Sequence, residues 1–543
     1  AFSKSLYSFI FLPFSITLLL YPPQKSANFV DFFFFHIDRF RFRRLASLAF
    51  VKVKGVSIML KHIHTQQEYK IFLSTQKYKL GYSSINNHTE CKKIRSMLWK
   101  LSKLETDSIH SILLPLYSSD FGRPAIDPLI FIRSFLLMLK LKVWSIDEWC
   151  HKLKTDPVLQ YVIGSWSPPS TAFHYNFINR VMHDNPNLKT YFPAKKNSKN
   201  VRLKIGRNEK WENYDDEDTN SLTAKYSDGA ACDRDRVSYS LEKIFSLLAV
   251  NPSVKLGLIN IENLILSGDG SCIHIHSSPH GHKVNSVQDE TCNYRYTAPD
   301  ADFGWDSDLE KWYFGYTLYN ISCYNPVYKT DLPVYLSLGY ASTHDALTTI
   351  TSTARMLDMN PSLKPRYMCF DSAMDSANIY KHLRHNNIIP IIDWNPRHNG
   401  SKNPYAKFEN IDSDGTPLCA AGYRMARDGY DSSKMATKFR CPAMRGKVSS
   451  CPLFGKCTSS TYGRVIKIYD KTDFKLFGPV PYKSNKWKSI YKNRTCTERI
   501  NNRILNDYGL HKMFIRNRSK FQFFSVIAGI SIHMDAWMKA FNS

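Results

Sequence analysis

The stretch "LILSGDGSCIHI", residues 264–275, is an apolar, extended run that carries one acid, Asp269. Runs of apolar and branched residues bounded by turn residues are typical of strands. Two more such runs follow, rich in aromatic residues, at 312–324 and 332–342. The sequence therefore predicts three successive strands, and the first of them contains Asp269.

Helices and strands alternate after these three strands. The full order of three strands, helix, strand, helix and strand predicts an α/β chain whose mixed sheet is covered by helices. This is also the order of a ribonuclease H-like core. The later segments are a helix at 344–358, a strand at 367–371, a helix at 375–386 and a strand at 388–393.

The charge of the chain indicates a polyanionic partner. The 543 residues include 73 Lys and Arg against 47 Asp and Glu, which leaves a formal charge of +26. On a globular protein this excess favours nucleic acid, although charge alone leaves an anionic membrane surface open. The 12 cysteines are too sparse for a disulfide scaffold and favour a reducing compartment.

The first residues form an unusual extension. An apolar run at 5–21 is interrupted by Pro13 and is too short for a confident transmembrane helix. Met59 opens a stretch that looks like an ordinary start of translation. We therefore predict that residues 1–58 are a non-native or upstream-translated extension, with a membrane anchor as the alternative.

A helical domain is predicted at 59–186, followed by a polar linker at 187–235. Its clearest helices begin at Asp127 and Ser145, which are placed as N-caps. A third helix, "TAFHYNFINRVM" at 171–182, is expected to present polar side chains to the major groove of DNA, as in a helix-turn-helix. The alternative is a helical packing module. The predicted DNA-reading residues are His174, Asn176, Asn179 and Arg180.

Three acids are placed to converge on one edge of the predicted sheet. Asp269 lies within the first strand, Asp371 ends the fourth, and Glu498 lies on a helix after the fifth. Converging carboxylates repel one another unless cations bind them, and hard oxygen ligands suit Mg²⁺ or Mn²⁺. We predict that these acids bind two such ions for phosphodiester chemistry. The alternative for Glu498 is a solvated helix with a local ion pair.

The helix segment "SIYKNRTCTERINNRIL", 489–505, carries a family resemblance. Its Tyr491, Arg494 and Glu498 match the third-acid signature Y-x2-R-x3-E-x6-K of bacterial insertion-sequence transposases of the DDE type. Leu505 stands where the signature has lysine, so Lys512 or Arg503 is the expected substitute. The blocks "GDGSCIHIHSSPHGHKV", "DADFGWDSDLEKWYFGYT", "CFDSAMD" and "ERINNRILNDYGLHKM" also resemble one transposase subgroup.

The resemblance spans about residues 115–540 and implies a function. Such enzymes cut transposon ends and join the freed 3′ hydroxyl to target DNA. It implies that Tyr491 and Arg494 position phosphates and that the catalytic domain occupies 236–543 with an insertion at about 394–486. It further implies double-stranded DNA as partner, a homodimer on that DNA, no membrane, and a bacterial cytoplasmic location at the nucleoid.

Four cysteines fall inside the predicted β-rich insertion. Their number suits one tetrahedral Zn²⁺, and a small insert with little core gains stability from a metal. The spacing lacks a C-x2-C pair, so dispersed reduced thiols are the alternative interpretation. The candidate ligands are Cys419, Cys441, Cys451 and Cys457.

Other polar clusters are rival ligands. The histidines of "HIHSSPHGH", 274–282, invite a zinc interpretation, but strand alternation places His274 and His276 on the face opposite Asp269. The acids at 306–310 precede the second strand and are expected to be solvated.

Two functions besides transposition stay open: a catalytically inactive DNA-binding protein derived from a transposase, and a ribonuclease H-like nuclease without strand transfer.

Overall fold

The predicted extension and most of the predicted linker lie outside the residues that the structure describes. Of the extension only Ile58 is described, and of the linker only 219–227. The structure is a computed structural model, and it describes residues 58–80, 82–120, 122–182, 219–227, 238–280, 282–283, 294–295, 297–298, 300–307, 309–396 and 403–542.

Helices dominate the described chain before residue 183. The predicted N-caps at Asp127 and Ser145 are confirmed, because their side chains accept from the backbone N–H groups of Leu129 and Glu148. Two short strands, β1 (Ile58–Met59) and β2 (Arg123–Pro124), pair in parallel. The helices are α1 Gln66–Leu80, α2 Tyr82–Asn86, α3 Cys91–Lys103, α4 His110–Leu113, α5 Pro128–Lys140, α6 Ile146–Thr155, α7 Pro157–Ile163 and α8 Thr171–Val181.

The second half of the described chain contains the main sheet. Helices α9 (Thr219–Ser227), α10 (Tyr239–Phe245) and α11 (Asn251–Lys255) precede it, and a π-helical turn joins α10 to α11. The elements that follow are β3 Ile265–His274, β4 His282–Lys283, β5 Tyr294–Arg295, β6 Asp302–Asp306, β7 Lys311–Asn325, β8 Thr330–Tyr340, α12 Asp345–Met359, β9 Tyr367–Phe370, α13 Ala377–His385 and β10 Ile389–Ile392.

The sheet has the order β10-β9-β3-β7, with β8 and β6 beyond β7. β10, β9 and β3 are parallel, whereas β7 is antiparallel to β3 and to β8. Gly315 of β7 pairs with His274 on one side and with Asp302 of β6 on the other. Strands β8 and β6 therefore lie end to end along the outer edge of β7. The predicted mixed α/β fold is confirmed, and β6 is a strand that the sequence analysis missed.

A second sheet follows β10 within the predicted insertion. It is a three-stranded antiparallel sheet, in the order β11-β12-β13. The chain then returns to the main sheet as a helical segment, residues 485–507, in which 3₁₀ and π turns interrupt regular helix. These elements are β11 Ala426–Asp431, β12 Ala436–Arg440, β13 Val465–Tyr469, α14 Asn485–Tyr491, α15 Thr495–Asn502 and the C-terminal helix α16 Arg518–Asn542.

One hydrophobic core joins the early helices to the main sheet. Phe135 of α5 is fully buried and meets Phe523 and Phe524 of α16 at ring-centroid distances of 5.0 and 5.6 Å. Helix α16 packs in turn on β8. The described residues from 58 onward consequently belong to one compact unit, Ser57–Ser543. None of the described helices has the length and apolar character needed to cross a membrane.

The two glycines of the "GDG" stretch are required by close packing. A Cβ at Gly268 would lie 2.6 Å from both Phe370 Cε1 and Tyr319 Oη, and real Cβ atoms do not approach that closely. A Cβ at Gly270 would lie 3.2 Å from Thr317 Cγ2, which is tight but less severe. The face of β3 opposite Asp269 therefore has no room for a side chain at Gly268 and little room at Gly270.

We expect Gly268→Ala to lower the free energy of unfolding by about 1–3 kcal/mol, the cost of overpacking a filled core. Gly339→Ala on β8 is the matched control, because its Cβ would meet nothing closer than 3.9 Å. Urea unfolding of the two variants checks the difference. Equal stability of both would contradict the packing argument.

Candidate active site

Asp269 and Asp371 lie next to each other at the point where the pairing between two adjacent parallel strands ends. β3 and β9 are paired up to Ser267 opposite Cys369. Asp269 and Asp371 each follow two residues later. Adjacent strands lie ~4.8 Å apart and residues two apart share a face, so both carboxylates start from neighbouring backbone positions on one face. The Asp371 side chain also accepts from Ala373 N at 3.0 Å, which fixes its orientation.

The helical segment that contains Glu498 crosses this same face of the sheet. It contacts β9, β3 and β7 in turn through polar side chains. Asn320 of β7 is the residue paired with Asp269 in the sheet register. Glu498 therefore projects from a segment anchored directly over the two aspartates. The contacts are Cys369 Sγ to the Ile490 carbonyl at 3.6 Å, Ser267 Oγ to the Arg494 carbonyl at 3.3 Å, and Asn320 Nδ2 to the Thr497 carbonyl at 3.2 Å.

The electrostatics show that these acids act on one another. The pKa of Asp269 is raised to about 7, chiefly by burial and next by the charge of Asp371. Glu498 contributes to the same rise, and the Arg494 guanidinium opposes it. A carboxyl group whose charged form is disfavoured by burial and by like charges is stabilised when a cation arrives. The three predicted acids thus share one electrostatic site.

In the structure Glu498 is paired with a cation from its own helix. Arg494 Nη2 lies 2.7 Å from Glu498 Oε1, in the i,i+4 relation. As the side chains stand, no three His, Cys, Asp or Glu residues in the described ranges are placed to share one metal ion. The local ion pair considered from the sequence is therefore present.

A fourth acid, Asp345, was missed by the sequence analysis. It begins α12 on the other face of the sheet, and its Oδ1 would lie 3.5 Å from a Cβ at Gly270. Burial raises the pKa of Asp345, and Asp371 adds to the rise against His344. Its only sequence signal was its position at the start of a helix that follows a strand. Asp345 adds negative charge beside Asp269.

The residues predicted to contact DNA beside Glu498 have different environments. Tyr491 stacks on Trp487, with ring centroids 4.4 Å apart and an interplanar angle of 17°, so it braces the helix. Arg503 Nη2 bonds to Asp535 Oδ2 at 3.3 Å, which directs it toward α16. Lys512 is exposed. Of the two proposed substitutes for the signature lysine, Lys512 is the one free of such an ion pair among the described residues.

The prediction that His174 reads DNA is wrong. His174 is fully buried, and its ring lies between Ser134 Oγ at 2.9 Å and the Ser170 carbonyl at 3.0 Å. Trp149 Nε1 donates to the same Ser134 hydroxyl at 2.8 Å. The Ser170 carbonyl can only accept, so Nδ1 carries the hydrogen of the neutral ring, and Nε2 accepts from the Ser134 hydroxyl. His174 is a neutral structural side chain.

The other three predicted DNA-reading residues lie in different environments. Arg180 donates to the Leu116 carbonyl at 2.8 Å and lies over the Tyr117 ring at 4.4 Å, so its guanidinium makes structural contacts within the protein. Asn176 is exposed and Asn179 is partly exposed. These two asparagines stay predicted contacts. The helix-turn-helix interpretation is weakened by the loss of His174 and Arg180.

The rival clusters have structural partners. His274 Nε2 lies 2.9 Å from Asp306 Oδ2, and its ring stacks on Tyr313. His276 Nε2 contacts the His511 carbonyl at 3.2 Å. Asp306 is buried rather than solvated, as had been expected, because it pairs with His274 and accepts from Leu309 N. These contacts give both clusters a packing role.

The four cysteines of the insertion come together. Cys419, Cys441, Cys451 and Cys457 all line one cavity of ≈ 20 Å³. Every cysteine in the described residues is a free thiol. The convergence of four residues spread over 419–457 could not be read from their irregular spacing. No family model matches the chain, and no curated protein is significantly similar to it.

Proposed function

We propose that the protein is a DNA transposase of a bacterial insertion sequence. It binds transposon ends, cuts them in a metal-dependent reaction and joins the 3′ ends to target DNA. The observation that carries the proposal is the placement of Asp269 and Asp371 on neighbouring strands beneath the segment that bears Glu498. Three acids from distant parts of the sequence share one site, as expected of two-metal phosphodiester chemistry.

The strand order supports a ribonuclease H-like core. Three parallel strands, β10, β9 and β3, continue into the antiparallel β7 and then β8, and helices α12 and α13 connect the last strands. In this arrangement the first strand is central, so an acid within it lies next to the end of the fourth strand. The proposed site occupies that junction.

The donor set fits hard divalent cations. Asp269, Asp371 and Glu498 would supply oxygen ligands, and the pKa of Asp269 is raised chiefly by burial and next by the charge of Asp371, both of which disfavour its charged form without a cation. Bound Mg²⁺ or Mn²⁺ would activate the attacking oxygen and stabilise the leaving oxygen. The chain's own contribution is positioning: Ala373 N orients Asp371, and Asn320 anchors the backbone beside Glu498.

Exposed lysines beside Glu498 give the site a surface for DNA phosphates. Lys486, Lys488 and Lys492 are exposed on the helical segment. Arg499 does not share this role, because Asp331 holds it in two hydrogen bonds of 2.7 Å. We propose that double-stranded DNA, both transposon end and target, contacts the exposed Lys486, Lys488 and Lys492 and binds to a homodimer in the bacterial cytoplasm.

Strand transfer tests the function directly. Duplexes that carry the inverted repeats flanking the gene, labelled at the 5′ end of the strand whose 3′ end is cut and joined, are incubated with the protein, a plasmid and Mg²⁺. A transposase joins the label to the plasmid, and EDTA abolishes the product. Cutting without joining would instead assign a ribonuclease H-like nuclease, and binding without cutting would assign an inactive DNA-binding protein.

A further inference from the structure

The segment between β12 and β13 in the insertion is built without a hydrophobic core. Residues 441–464 contain neither helix nor strand, and only Pro442 and Gly463 in it are buried. Two of its large apolar side chains are exposed, Phe454 by 64% and Met444 by 37%. Ordering a residue costs about 1–2 kcal/mol of backbone entropy, and here little buried apolar surface offsets that cost.

Four cysteines line one cavity beside this segment, which lacks a hydrophobic core. Cys441, Cys451 and Cys457 belong to the segment, and Cys419 reaches the same cavity from the loop before β11. The cavity of ≈ 20 Å³ has room for a single ion or water molecule. Small domains that cannot build a core are commonly stapled by disulfides or by a structural metal.

The backbone at these cysteines forms tight turns. The Cys419 carbonyl accepts from Gly422 N at 2.8 Å, and the Cys451 carbonyl accepts from Phe454 N at 3.1 Å. Gly422 and Gly455 have φ angles of 76° and 72°, a left-handed conformation that glycine adopts without strain. Turns of this kind hold a cysteine at the tip of a loop, from which its sulfur can reach the cavity.

We propose that these four cysteines bind one structural Zn²⁺ through thiolate sulfurs. The bound ion stabilises residues 441–464, which lack a hydrophobic core, and links this segment to the turn at 419–422. In the structure all four cysteines line this cavity, although their side chains as they stand do not form a metal site. Arg464 lines the same cavity and offsets the negative charge of a four-thiolate site.

The zinc site is independent of the three-acid site and of the proposed function. It would be present in an inactive protein, and its absence would leave the acids unaffected. Zinc content therefore tests this inference by itself.

Metal analysis of the full chain, purified without added metal, should find about one zinc per chain, as in closed structural sites. Cys451→Ser should reduce the content to below about a tenth of that value, because a closed site needs all four thiolates. Cys91→Ser is the matched control: Cys91 is equally half-buried but lies on α3, so its replacement should leave the zinc content unchanged.

A second measurement keeps the inference testable if Cys451→Ser fails to fold. Wild-type protein reconstituted with Co²⁺ should show the thiolate charge-transfer and tetrahedral d–d absorption of a four-sulfur site, and Zn²⁺ should displace both. Two disulfides among the four cysteines, or folded protein in which all four thiols react freely and neither Zn²⁺ nor Co²⁺ is bound, would overturn the inference.

Discussion

Asp269→Asn is expected to abolish metal-dependent DNA cleavage and, in the same protein, to raise thermal stability. Cleavage should fall by several orders of magnitude, because the amide cannot supply the charge that hard divalent ions require and both metal-assisted steps are lost. DNA binding should persist, since contacts of Lys and Arg with phosphates dominate affinity. Asp371→Asn and Glu498→Gln should show the same separation of cleavage from binding.

The gain in stability follows from the raised pKa of Asp269, about 7 against 3.8 for the ordinary carboxyl group. Between these values the folded protein binds a proton that the unfolded chain does not, so folding is favoured as pH falls through 7. Above pH 7 the folded protein contains an unfavourable charge. Removing that charge should stabilise the metal-free protein by on the order of 2 kcal/mol at pH 8, after allowance for solvent screening, with little gain below pH 4.

Thermal unfolding at pH 8 and a cleavage assay on the same preparations check both parts. Glu409→Gln is the control, because Glu409 is an exposed carboxylate in the insertion, and it should change neither quantity. Loss of cleavage together with lower stability would indicate misfolding. Near-normal Mg²⁺-dependent cleavage by Asp269→Asn would refute the three-acid site.

The strands that carry the site could be predicted because their apolar runs are bounded by clear turns. Asp269 lies within β3 as predicted, whereas Asp371, predicted to end the fourth strand, follows Phe370, the last residue of β9. The proximity of Asp345 could not be predicted, because it approaches from the opposite face of the sheet through the absence of a side chain at Gly270. Such proximity depends on packing rather than on local pattern.

The error at His174 has a similar origin. The helical period of α8 places His174, Ile178 and Val181 on one stripe, and this stripe is the buried one. The sequence analysis assigned His174 to the surface because it is polar, and residues that hydrogen-bond to it, Ser134 among them, lie outside α8. Phe523 of α16, far along the chain, packs against Phe177 of the same helix, with ring centroids 6.1 Å apart. The elements that cover this stripe are distant in sequence, so the pattern of α8 alone could not identify it as the buried one.

The structure repeats the His174 arrangement at a second position. Trp537 Nε1 donates to Ser253 Oγ at 2.8 Å, Ser253 Oγ lies 2.7 Å from His533 Nδ1, and His533 Nε2 lies 2.7 Å from the Pro333 carbonyl. The hydroxyl again donates to the ring, which fixes the neutral tautomer. His533 is fully buried, as is His174. Both histidines can accept a proton only by disrupting a chain of buried hydrogen bonds.

Mild acid is therefore expected to destabilise the protein through these two histidines. Burial lowers the pKa of each to about 4, against 6.5 for the ordinary side chain. The sign follows directly: between pH 6.5 and 4 the unfolded chain binds the proton that the folded protein excludes. Their contribution is fully present above pH 6.5 and is lost as pH falls, by about 2 kcal/mol per histidine at pH 5.

Urea unfolding at pH 7.5 and pH 5 of His174→Phe, His533→Phe and the parent protein measures this contribution. Each variant loses hydrogen bonds and should be less stable at pH 7.5, but its further loss at pH 5 should be smaller than that of the parent by about 2 kcal/mol. The titration of Asp269 changes stability with pH in the opposite direction. It does so equally in every variant and therefore cancels when the variants are compared. The exposed His151, replaced by Asn, should leave the pH dependence unchanged. If both Phe variants kept the full loss of the parent, the buried histidines would not be the groups that titrate.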